Sequence, residues 1–275
     1  MMALSTASGV ERIAHAFASA PGRAALMPYL MGGFPTLAQS RLLGESLAGA
    51  GADLLEVGIP FSDPLADGPA IQAAGERALA GGATFESVLE QVAEPLARQV
   101  PVIAMCYANL LLAHGLETAA ERLAGLGVAG LIVPDLPAEE AGETRAACDR
   151  HGVALVPLVA PTTPPQQVSR IAAAARGFVY VVSVTGVTGE RGELPPGLEE
   201  VVEHVREAAS VPVAVGFGIG TPEQVARVGA VADGVIVGSR LVRTVAEAPT
   251  PEQGIAEAVR FTRAAAGMLC APSSP

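Results

Sequence analysis

Short apolar runs recur along this chain, separated by longer stretches in which charged and small residues break up the apolar positions. Eight runs read as strands: Leu26–Met31, Asp53–Val57, Val102–Cys106, Gly130–Val133, Ala154–Val159, Phe178–Val182, Val213–Gly216 and Gly234–Val237. They are rich in β-branched residues and leucine and are bounded by Gly and Pro, as expected of buried parallel strands. The segments between them carry helix signals. Thr221-Pro222-Glu223-Gln224 offers a threonine cap, a proline in the first turn and a glutamine able to close a capping box. Gly81-Gly82 stops one helix and Thr84 can start the next. Eight strand–helix units predict an α/β fold, a closed (β/α)8 TIM barrel, as a single domain over residues 1–275 with disordered tails at 1–10 and 268–275.

In such a barrel, chemistry sits in the loops after the strands, which makes the second run the most informative. It places Glu56 among apolar neighbours, where a carboxylate costs several kcal/mol unless it is paired or protonated. Such an acid is either a structural group satisfied by backbone donors or arginine, or a group with perturbed acidity and a task. The loop that follows, stiffened by Pro60, Pro64 and Pro69, brings Asp63 and Asp67 back over the strand end. His151 precedes a strand and falls on the opposite face.

Composition narrows the chemistry. The chain has 275 residues, half of them hydrophobic, and a net charge of -11, which disfavours nucleic acid or an anionic membrane as partner. Every one of the 17 basic residues is arginine, so no lysine can form a Schiff base with a carbonyl substrate or a pyridoxal cofactor. The three cysteines, Cys106, Cys148 and Cys270, lack metal-site spacing and fit a reduced, cytoplasmic protein. No signal peptide or spanning segment is indicated. His15, His114, His151 and His204 fall in helical segments or before a strand, so no metal site is expected on the active rim. What remains is acid–base catalysis on a substrate that carries its own electron sink.

Three late glycine-rich turns, Gly186–Gly189, Gly216–Gly220 and Gly238-Ser239, can each expose backbone N–H groups. A single such turn is better read as a tight turn. Two of them on the strands where barrels hold phosphate, joined by a third from the strand before, favour a phosphate site.

The run LLEVGIPFSDPLADGPAIQ, Leu54 to Gln72, closely resembles the signature of the tryptophan synthase alpha chain family. Further matches follow in order: PYLMGGFPT at 28–36, YANLL at 107–111, VPDLP at 133–137, VSVTGVTG at 182–189, GFGIGTPEQV at 216–225 and VGSRLV at 237–242. The resemblance implies retro-aldol cleavage of indole-3-glycerol phosphate to indole and glyceraldehyde 3-phosphate, with the indole ring as the electron sink. It implies Glu56, Asp67 and Tyr180 as catalytic residues. Glu56 would carry protons with its acidity weakened by burial, and Asp67, ionised in a wetter loop, would accept the indole N–H. Tyr180 fits equally as a core tyrosine. Tyr29, Met105, Tyr107, Phe178 and Phe217 would wall the indole, or equally fill the barrel. Gly189, Gly218, Gly238 and Ser239 would hold the phosphate, with no lysine or arginine needed.

The segment Val184–Pro196 reads as a lid, with Thr188 touching the Asp67 loop. Some family members carry a basic residue at the place of Val184, and some carry a hydroxyl at that of Phe178. The family's partner is a beta chain that holds pyridoxal phosphate, in an α2β2 heterotetramer; Asp63, Asn109 and Pro137 are the implied contacts, and no cofactor is expected in this chain. A freestanding indole-releasing lyase and a non-catalytic activator of a beta chain are the alternatives. A different phosphate-binding barrel enzyme is disfavoured by the match of both acids.

Overall fold

The computed structural model describes residues 7–20, 23–182, 197–216 and 218–270. Nine parallel strands form one sheet: β1 (Ala25–Met31), β2 (Leu55–Gly58), β3 (Val102–Met105), β4 (Gly130–Ile132), β5 (Ala154–Val156), β6 (Leu158–Val159), β7 (Val179–Val182), β8 (Val213–Gly216) and β9 (Gly234–Val237). The spatial order is β5-β4-β3-β2-β1-β9-β8-β7-β6, and every pairing is parallel. The ninth strand arises from the run 154–159. Pro157 has no N–H to give to a ladder, so the run divides there into a half that pairs with β4 and a half that pairs with β7. One continuous stretch of chain therefore closes the (β/α)8 barrel.

Alternation along the strands sorts the core into two shells. Met27, Ile103, Ile132, Phe178, Tyr180, Ala214 and Ile236 fill the barrel interior. Their neighbours Leu26, Leu30, Val179, Val181, Val213, Val215 and Val235 face the surrounding helices. Both faces are covered, which is why the strands read as continuous apolar runs. Glu56 stands two residues from the interior Leu54 and shares its direction.

The floor is closed by helix Gly9–Ala18, whose Ile13 and Ala16 belong to the interior core. Arg12 reaches across from this helix and donates to the carbonyls of Gly127 at 2.5 Å and Ala97 at 2.6 Å. Residues 8–10, which the sequence reading assigned to a disordered tail, instead begin this helix. Ser8 accepts from the Glu11 amide while the Glu11 carboxylate accepts from the Ser8 amide at 2.8 Å, a complete capping box. At the other end, helix Pro251–Cys270 continues through residues 268–270 because Leu269 is buried under it in step with Phe261, Thr262 and Ala265. The expected caps at Thr84 and Thr221 are present, and Gly81 ends its helix. No helix among the described residues is long and apolar enough to cross a membrane.

Candidate active site

A cavity of about 310 Å³ opens at the carboxyl ends of the strands. Glu56 and Asp67 line one side; Gly218, Gly238 and Ser239 line another; Tyr29, Met105 and Tyr180 contribute to the wall. Strand register brings the first group together. Tyr29 on β1 is paired with Glu56 on β2, and Gly58 at the end of β2 is paired with Met105 on β3. Gly216, which ends β8, leaves room for the Tyr180 ring: a β-carbon there would lie 2.4 Å from the tyrosine hydroxyl.

Glu56 is 2% exposed, and its Oε2 has no hydrogen-bond partner among the described residues. Burial, and after it the nearby charge of Asp67, push its pKa up to about 8. Asp67 is half-buried, and its pKa rises to about 6 through burial, opposed by a hydrogen bond from Tyr107. The loop is thus drier than the sequence suggested, yet the order of the two acids leaves a pH interval with Glu56 protonated and Asp67 ionised. Burial and the neighbouring carboxylates also hold the Tyr29 and Tyr180 hydroxyls well above the ordinary phenol range, so both stay protonated.

The opposite side is built from backbone. Gly218 has φ +74°, a conformation that a side chain strains. Buried Gln224 braces this turn by accepting the amides of Gly220 at 2.7 Å and Thr221 at 3.2 Å. Gly238 precedes helix Ser239–Glu247, whose amide end and positive dipole point to the cavity mouth. Arg240 and Arg243, on the first turns of this helix, also line the cavity. They were missed in the sequence, where the glycines alone sufficed to suggest an anion site; their spacing of three residues directly behind Gly238-Ser239 was the available signal.

Two expected wall residues are placed elsewhere. Phe178 does not line the cavity. It is fully buried at the floor, 5.7 Å from the Phe17 ring, because it stands just before β7, one interior layer below Tyr180. Tyr107 lies behind the Asp67 loop rather than in the cavity wall; its ring stacks on Phe61 at 5.2 Å and its hydroxyl accepts the Ala66 amide at 3.1 Å. Phe217, Thr188, Gly189 and Val184, with the rest of the expected lid, lie outside the described residues. Asp63, Asn109 and Pro137 are all exposed on the neighbouring loops after β2, β3 and β4. Those loops are tied together by the Ala66–Tyr107 bond and by the Ala108 amide, which donates to Asp135 at 2.9 Å. No cluster of metal-ligating side chains occurs among the described residues.

A parallel barrel with two acids of separated strength in one rim cavity, facing a glycine-lined helix terminus, is an enzyme of the (β/α)8 class that works by acid–base chemistry. The family model of the tryptophan synthase alpha chain matches residues 16–268. The chain belongs to the tryptophan synthase alpha chain family. It is 50% identical over 262 residues to the tryptophan synthase alpha chain of Roseiflexus sp. (strain RS-1), covering 94% of this chain and 100% of that one. The alpha chain from Chloroflexus aurantiacus is 47% identical over 92% of this chain and 97% of its own length. Among solved structures, one of Mycobacterium tuberculosis tryptophan synthase superposes with a TM-score of 0.88 at 36% identity, covering 97% of this chain and 100% of that chain. The protein is accordingly a lyase of tryptophan biosynthesis, of the family that cleaves indole-3-glycerol phosphate.

Proposed function

We propose that Glu56 and Asp67 divide the acid–base work of indole-3-glycerol phosphate cleavage between them. The observation that carries this reading is the orphaned Glu56 oxygen in a cavity that also holds Asp67. Glu56, protonated at neutral pH, gives its proton to the indole carbon that bears the glycerol chain. The ring becomes cationic, and Asp67 stabilises it by accepting the ring N–H. The Glu56 carboxylate then takes the proton of the adjacent side-chain hydroxyl. The carbon–carbon bond breaks, its electron pair restores the indole ring, and the aldehyde leaves with Glu56 protonated again.

Tyr180 hydrogen-bonds the reacting side chain from β7, and Tyr29 and Met105 pack on the indole. Gly218, Gly238 and Ser239, with Gly189 from the segment outside the described residues, bind the phosphate through backbone N–H groups and the serine hydroxyl. Arg240 and Arg243 add positive charge to that end.

The whole chain, residues 1–275, acts as one barrel domain in the cytoplasm and pairs with a beta chain in an α2β2 heterotetramer. Asp63, Asn109 and Pro137 take part in that contact. Pyridoxal phosphate belongs to the beta chain, and the lyase step in this chain uses no cofactor. The test is glyceraldehyde 3-phosphate formation from indole-3-glycerol phosphate by the purified chain, alone and with a tryptophan synthase beta chain. Slow cleavage that accelerates with the partner is expected; fast cleavage alone would indicate a freestanding lyase. No cleavage in either condition, or Glu56→Gln and Asp67→Asn variants with full turnover, would remove the catalytic reading.

A further inference from the structure

Tyr107 is one of three tyrosines in the chain, and the only one outside the cavity wall. It follows β3 and stands at the N-cap of helix Ala108–His114, which Asp135 anchors from the next loop through the Ala108 amide. From this fixed base the phenol reaches both ends of the loop after β2. Its ring stacks on Phe61 with an interplanar angle of 24°, and its oxygen accepts the amide of Ala66, the residue before Asp67. Asp67 follows Ala66 directly, so the phenol that accepts the Ala66 amide has its O–H available to the Asp67 carboxylate, and a hydrogen bond between the two opposes the rise of the Asp67 pKa.

We propose that Tyr107 is a positioning residue whose hydroxyl, held by the Ala66 amide, aims the Asp67 carboxylate at the reacting ring. This deepens the acid–base reading above and rests on it. The ring alone would pack the loop; the hydroxyl is what orients the acid. A hydrogen bond donated to the charged form favours ionisation, so it works against the desolvation of Asp67. The groups that face Asp67 are Glu56 from β2, Tyr29 from β1 and Tyr107 from the loop after β3, while Asp135 faces Tyr107 and Arg240 and Arg243 line the same cavity. Of these, Tyr107 is the one that also holds the backbone next to the carboxylate, through the Ala66 amide.

The test is Tyr107→Phe in the full chain, which deletes the hydroxyl and keeps the ring stack. Two readouts are used: the Asp67 carboxyl midpoint by carbon NMR titration, assigned with Asp67→Asn, and the pH profile of turnover. The expected result is a rise of about one pH unit in both the Asp67 midpoint and the acid limb, with KM for the phosphate ester changed less than about twofold. Tyr107→3-fluorotyrosine keeps the shape and donates more strongly, so it should move both values down and serves if the phenylalanine variant fails to fold. Phe61→Leu removes the stack but not the hydroxyl and should leave the acid limb in place. An unmoved Asp67 midpoint in folded Tyr107→Phe, or an equal shift in Phe61→Leu, overturns the proposal. If the wild type proves inactive while the NMR midpoint still moves, the reaction reading fails and the positioning of Asp67 by Tyr107 stands.

Discussion

Tyr29 and Glu56 face each other across β1 and β2, and the tyrosine hydroxyl occupies the space that a β-carbon on Gly58 would need, at 2.0 Å. The glycine that ends β2 is therefore a packing partner of the wall tyrosine as well as a turn residue.

Gly58→Ala should force the Tyr29 ring to shift, since the neighbouring ring carbon is also only 2.7 Å from the new methyl position. The expected cost is about 1–3 kcal/mol, the scale of overpacking a well-filled core. A lowered urea midpoint with unchanged m-value would register it, and an unchanged midpoint would mean that the ring moves freely.

Glu56 makes stability depend on pH in a direction opposite to a salt-bridged acid. Its folded pKa stands near 8 against an ordinary value of 4.5, so the folded state holds the proton more tightly. The contribution is complete below about pH 4.5 and is lost as pH rises toward 8, amounting to a few kcal/mol by linkage. Urea titrations across this interval should show wild type losing stability relative to Glu56→Gln as pH rises. Parallel curves would argue that Glu56 ionises freely.

Turnover should follow a bell, with an acid limb near 6 set by Asp67 and a basic limb near 8 set by Glu56. Glu56→Gln and Asp67→Asn should each lose at least about 100-fold in turnover. Steady-state rates from pH 5 to 9 measure both; a flat profile would separate these acids from the chemistry.

The two glycines at the anion end should respond differently to alanine. At Gly218 the positive φ makes any side chain costly, on the order of 1–2 kcal/mol. At Gly238 a β-carbon meets nothing closer than Tyr29 at 3.5 Å, so the fold should tolerate it. The larger Gly238→Val should raise KM for the phosphate ester far more than it weakens free indole. Equal effects on both ligands would contradict the assignment of this end to phosphate.

Leu65, 91% exposed in the loop after β2, and Leu112, 61% exposed after β3, stand on the same rim as Asp63 and Asn109. Their place beside the proposed beta-chain contacts, rather than their exposure, makes them the apolar side chains to test there. Leu65→Glu should weaken association with a beta chain by at least about tenfold while leaving the thermal midpoint of the isolated chain unchanged. Titration calorimetry with a beta chain checks it, and unaltered affinity would move the contact elsewhere.

Much of this architecture was legible in the linear chain. Parallel strands covered on both faces need continuous apolar runs, so the eight runs and their order were visible, as were the threonine caps and the isolated carboxylate in the second strand. The capping box at Ser8 and Glu11 was equally present in the sequence and would have moved the first helix out of the tail. Local signals of this kind depend only on residues near one another in the chain.

Depth within the barrel does not. Phe178 and Tyr180 share a strand face and differ by one interior layer, and only strand stagger places one on the floor against Phe17 and the other in the cavity. Likewise Tyr107 holds the loop that carries Asp67 because adjacent strands bring their loops side by side. The acidity of Glu56 and Asp67 is decided the same way, since desolvation is a sum over all surrounding chain segments and no stretch of sequence contains it.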